Sequence, residues 1–237
     1  MPNADTSEEI SPDLKSVRAD RNPAAAAARF FDGFATVFDT LYDKKRGPLM
    51  RWVDEHYRSD MFIRFQWTFE KLPDLHHKTV ADIGCGSGAY VTEALRRGAS
   101  HVFAIDPAPG MLSLLRQRLA EMGSEPRCTI LAGVFPEVLP PECDHAIVMG
   151  VMDYVPDACA FLRALRKVTK TSAMVSFPSK HWFRTPFRKF RYWARRCPVY
   201  FYDIMRIEEL CRASNFTDFQ MRKIPGAGMD YHVCLSI

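Results

Sequence analysis

An α/β fold built on a doubly wound, mostly parallel sheet is what this 237-residue sequence predicts. Three observations predict it. From residue 79 onward short apolar runs alternate with helical repeats, as in linked strand–helix–strand units. The first apolar run leads straight into a glycine-rich turn. The chain ends in two strand-like runs joined by Pro225-Gly226-Ala227-Gly228, which predicts a hairpin that adds an antiparallel edge.

The elements follow in order. Residues 1–22 are polar, mixed in charge and without apolar period, so they read as a mobile tail. Residues 23–75 read as an N-terminal helical unit. Pro23 before Ala24 to Ala28 marks a helix start, and Phe30, Phe34, Phe38 and Leu41 then form one apolar face. Gly47-Pro48 breaks that helix. Further helices are predicted over Leu49 to Tyr57 and Asp60 to Leu72, the last ending before Pro73.

The main domain is predicted over residues 76–237. Its strands are expected at Thr79 to Ile83, His101 to Ile105, Cys128 to Leu131, His145 to Met149 and Ala173 to Phe177. The terminal pair is expected at Phe219 to Ile224 and Tyr231 to Ile237. Helices are expected at Tyr90 to Arg97, Pro109 to Met122 and Asp157 to Thr169.

Hydrophobic residues make up 47% and charged residues 25%, the balance of a soluble globular chain. The cysteines (Cys85, Cys128, Cys143, Cys159, Cys197, Cys211, Cys234) are scattered, with no Cys-x-x-Cys pair and no zinc spacing. A reducing, cytoplasmic setting and no metal are therefore expected. The first residues show no basic start followed by an apolar core, and no run approaches the ~18 apolar residues of a spanning helix.

The glycine turn reads Asp82-Ile83-Gly84-Cys85-Gly86-Ser87-Gly88. Glycines let a backbone turn tightly and approach a ligand with no Cβ in the way. The spacing fits an S-adenosylmethionine (SAM) site, an acid followed by Gly-x-Gly-x-Gly. It also fits a dinucleotide site, because Ala89 completes Gly-x-Gly-x-x-Ala. Charge separates the two. A carboxylate at the strand end repels a pyrophosphate held at a helix N-terminus, but it suits the ammonium and sulfonium of SAM. Asp106 ends the second strand and is placed to accept the ribose hydroxyls, with a helix-capping role as its alternative. Pro107 and Met111 line the adenine or pack in the core.

With these residues in place, Val80 to Leu112 resembles the first third of a class I SAM-dependent methyltransferase, and the pattern extends over about residues 79–237. The resemblance implies a Rossmann-like seven-stranded sheet with an antiparallel C-terminal strand. It also implies a cofactor site that includes Gly84, Cys85, Gly86 and Gly88. Such enzymes often carry an acid near the adenine after the third strand. This chain has Ala132-Gly133-Val134-Phe135 instead, so adenine contact falls to the Val134 backbone with Phe135 packing alongside.

The fourth strand ends at Met149-Gly150-Val151-Met152-Asp153-Tyr154, where a parallel sheet places its ligand. Gly150 is expected at the cofactor, and Asp153 with Tyr154 at the acceptor as base or anchor; capping of the next helix is the other role for Asp153. The stretch is similar to the magnesium-protoporphyrin O-methyltransferases, which show His-Tyr here. That family implies an N-terminal helical lid, here Ala28 to Tyr42, with Tyr42 near the site. Arg64 is read either as a partner of the cofactor carboxylate or as a solvated helix residue.

Residues 180–196 interleave Lys180, Arg184, Arg188, Lys189, Arg191, Arg195 and Arg196 with six aromatics and contain no acid. This insertion, at 179–200, has three readings. It is a core-packed helix with solvated arginines. It is an acceptor cap, in which His181, Arg184, Phe187, Arg188 and Arg191 bind an anionic small molecule. Or it is a contact for a membrane surface or nucleic acid. Nucleic acid is disfavoured by the lack of a separate binding domain. The sequence thus points to methyl transfer onto oxygen or nitrogen of a small aromatic or amphipathic acceptor. An NAD(P)-dependent oxidoreductase and a non-catalytic SAM-binding module are the alternatives, and the sequence carries no signal of oligomeric state.

Overall fold

The computed structural model describes residues 61–179, 199–225 and 230–237. Tyr42, the tail and the helices expected before residue 61 lie outside the described residues, as do His181, Arg184, Phe187, Arg188 and Arg191. The strands are β1 (Thr79–Ile83), β2 (His101–Asp106), β3 (Cys128–Ala132), β4 (Cys143–Val148), β5 (Thr169–Phe177), β6 (Phe219–Lys223) and β7 (Tyr231–Ser236). Residues 61–71 are helical (α1). The later helices are α2 (Ala89–Arg96), α3 (Pro109–Glu121), α4 (Ala158–Val168) and α5 (Ile204–Ala213).

The seven strands form one sheet in the order β3-β2-β1-β4-β5-β7-β6. β1 to β5 pair in parallel, and β7 runs antiparallel to both β5 and β6. The antiparallel C-terminal strand is therefore present, but it is not the edge. Val233 and Leu235 of β7 are fully buried, whereas Gln220, Arg222 and Lys223 leave β6 suited to the solvated margin.

Both sheet faces are covered, as a parallel sheet requires. On one face Ala81 and Ile83 pack with Phe161, Leu162 and Leu165 of α4 and with Ile207 and Leu210 of α5. On the other, Val80 packs with Leu95, Leu115 and Leu119, and with Phe69 and Leu72 of α1. Phe69, Leu72 and Leu75, within residues 61–75, are thus buried against the sheet. Asp157 and Asp203 start α4 and α5 by accepting the Ala160 and Arg206 amides at 2.9 and 2.8 Å. Strand order reverses between β1 and β4, so a crevice opens at their carboxyl ends.

Candidate active site

The glycine turn follows β1 and is sewn to β2. The Gly84 and Cys85 amides both donate to Ile105 O, at 2.8 and 3.0 Å, and the Gly88 amide donates to Cys85 O. Gly84, Gly86 and Gly88 all have positive φ, which L side chains adopt with strain. Each glycine has its own reason. A Cβ at Gly84 would collide with Val151, and one at Gly88 with Leu115. At Gly86 a Cβ would meet nothing within 4 Å, so the turn leaves open space there. The Cys85 thiol is buried, donates to Gly86 O at 3.7 Å, and burial pushes its pKa well up.

Asp82 points to the α2 side of the sheet, between Ala104 and Ile147 in register. It is 1% exposed, and its Oδ2 has no hydrogen-bond partner among the described residues. Burial raises its pKa to about 8, the nearby Asp106 charge adds to the rise, and the Val91 amide opposes it. A buried acid so placed costs stability unless a donor or cation meets it. A ligand ammonium would satisfy that need for the ionised acid.

Asp106 braces the turn. Its Oδ2 accepts the Gly86 amide and its Oδ1 the Ala108 amide, both at 2.9 Å. It is not a helix cap, because Ala108 occupies that position of α3 and no side chain caps it. Each carboxylate oxygen keeps a further acceptor site for a ribose hydroxyl. Met111 packs with Ala108 in a small apolar cluster at the start of α3, with half-buried Pro107 preceding it. Val134 is half-buried beyond β3. Phe135 is buried in the core, its ring edge-on to Phe161 at 4.9 Å.

Beyond β4 Gly150 turns with φ 73° and its amide donates to Ser176 Oγ at 2.8 Å. Met152–Tyr154 form a single 3-10 turn, with Asp153 buried and Tyr154 half-buried. Asp153 does not cap α4, since Asp157 does. The turn is held from behind by the chain returning to α5: the Tyr200 amide donates to Asp153 O at 2.9 Å and the Tyr202 hydroxyl to Met152 O at 3.3 Å. Tyr202 is pushed up to about 12, by burial first and the Asp153 charge second.

Arg64 is not solvated. Its guanidinium stands 3.8 Å from Asp230 Oδ2 and beside Gly150. The structure therefore joins Asp82, the glycine turn, Asp106, Gly150, Asp153 and Arg64 at one end of the sheet. Ser176, Tyr200, Tyr202 and Asp230 were not singled out from sequence. They come from distant segments with no motif, and only the strand order brings them together.

Residues 80–172 match the family described as methyltransferase domain. Ubiquinone biosynthesis O-methyltransferase of Neisseria meningitidis serogroup A is 36% identical over 107 residues, 44% of this chain and 44% of that protein. The tRNA U34 carboxymethyltransferase of Shewanella woodyi is 31% identical over 125 residues, 50% of this chain and 36% of that protein. The chain thus spans less than half the length of these curated relatives. Magnesium protoporphyrin IX methyltransferase of Synechocystis PCC 6803, solved with bound S-adenosylhomocysteine (SAH), matches with a TM-score of 0.70 at 17% identity. That match covers 90% of this chain and 99% of the other, and at this identity it establishes the fold.

Proposed function

We propose, from the premise that this chain carries a class I SAM-dependent methyltransferase domain, that it methylates an oxygen on a small aromatic or amphipathic acceptor. The observation that carries the cofactor half of this reading is Asp82, a buried carboxylate with an unsatisfied oxygen beside a turn that leaves open space at Gly86. Asp82 and Arg64 would hold the charged amino-acid end of the cofactor, Asp106 its ribose, and Val134 with Met111 its base. SAM, when bound, supplies a methyl group on a sulfonium, whose departure as a neutral thioether needs no acid.

The chain's remaining tasks are alignment, water exclusion and acceptance of one proton. Asp153 would take the proton, and Tyr200 and Tyr202 hold the turn that carries it. The O-methyltransferase relatives support oxygen as the acceptor atom. A dinucleotide in the same turn is not favoured, because Asp82 would face its phosphates.

A panel of phenolic and carboxylic acceptors, assayed for methylated product by mass spectrometry, tests the reading. With a productive acceptor, Asp153→Asn is expected to lower kcat by about 100-fold and to leave SAH affinity unchanged. An Asp153→Asn variant with full turnover would remove Asp153 from the chemistry.

A further inference from the structure

Three consecutive residues of the glycine turn are gripped by the β2–α3 unit, each by a different contact. Gly86 is held through its amide by Asp106. Gly88 lies so close to Leu115 that a side chain there would collide. Ser87, between them, is held by Arg118: the guanidinium Nη1 donates to Ser87 O at 2.8 Å and to Ser87 Oγ at 3.0 Å. Leu115 and Arg118 are three residues apart and so share one face of α3, turned toward the loop. The Asp106 grip is made to the backbone alone, whereas the Arg118 grip takes both the backbone and the side chain of a buried residue.

We propose that Arg118 is a positioning residue for the cofactor, fixing the peptide at Ser87 so that Gly86 and Gly88 keep the shape that receives it. This rests on the reading of the glycine turn as a SAM site. The physical argument is one of degeneracy. Glycines at positive φ are free to take other backbone states at little steric cost, so a turn containing three of them in five residues does not hold one shape by itself. A charge-assisted pair of hydrogen bonds to the intervening residue removes that freedom. Pre-organisation of this kind reduces the ordering cost of binding and shows as affinity. A rival role exists: Arg118 lies in the last turn of α3, where a cation stabilises the helix whatever the loop does.

Titration calorimetry with SAH on the full chain, together with melting of the ligand-free protein, separates the two roles. Arg118→Ala is expected to weaken SAH binding by about tenfold, the scale of a lost charge-assisted bond. Arg118→Lys, which keeps one donor, is expected to recover part of the loss. Ser87→Ala keeps the arginine and its bond to the carbonyl, and is expected to weaken binding by a smaller factor. If Arg118→Ala lowers the melting temperature but leaves the SAH dissociation constant unchanged, the residue serves the helix alone and the proposal fails. Should Arg118→Ala not fold, unchanged affinity in both Arg118→Lys and Ser87→Ala overturns it. Failure of the wild-type protein to bind SAH would overturn the reading of the site itself, a distinct result.

Discussion

Asp82 is a buried acid whose pKa is raised to about 8, and its behaviour is open to titration. A free aspartate ionises near 3.8, but in the folded chain burial and Asp106 raise Asp82 to about 8, while the buried Cys85 lies beside it. Between these values the folded state holds a proton that the unfolded chain has released. Ligand-free protein should therefore lose stability as pH rises from about 4 to about 8. Asp82→Asn should abolish the effect. Its ligand-free melting temperature at pH 8 is expected to rise by about 2–4 °C, while SAH binding is lost. A fall in both would show that Asp82 is satisfied by the protein itself. Asp82 and Asp106 were legible in the sequence because each closes an apolar run beside a glycine turn. Tyr202 and Asp230 were not, because their neighbours are distant in sequence.

The elements show where periodicity succeeds and where it misleads. β1, β2 and α3 stand where the apolar pattern predicts them. β5 begins at Thr169 rather than Ala173, since its polar first half pairs with β4 and then β7 although it carries no apolar signal. α5 went unassigned because exposed Ile204 and Met205 blur its buried face of Ile207, Leu210 and Cys211. The joint between α1 and β7 is a polar one: Thr68 Oγ1 donates to Arg64 O and meets His232 Nε2 at 3.1 Å. Burial, then the charges of Arg222, Arg64 and Lys71, hold His232 down at about 4. The unfolded chain thus takes up this proton first, and the stability the neutral ring provides above pH 6.5 drains away as pH falls toward 4. His232→Gln is expected to melt roughly 5 °C lower at pH 7 and to show a flatter acid limb. An unchanged acid limb would assign it to other groups.

At the scale of the whole molecule, residues 61–75 close the face of the sheet that also carries Asp82 and α2. Phe69, Leu72 and Leu75 are buried with Val80 and Leu95. Arg64 reaches Gly150 and Asp230 from this same helix, so one element serves both the core and the end of β4. Among the described residues no helix is long and apolar enough to cross a membrane. The sequence made the parallel sheet and the glycine turn legible, since both rest on local pattern. It could not place β7 inside the sheet or turn Phe135 into the core, because long-range packing decides both. The central claim is that Asp82 and its turn form a site for a cationic, adenosine-bearing ligand. Calorimetry of SAM, SAH and NADH against wild-type protein between pH 6 and 9 tests it directly. SAM should bind about tenfold tighter for each unit by which the pH rises toward 8 and level off above it, with SAH binding and NADH not. Binding of NADH in preference to SAM would contradict the account.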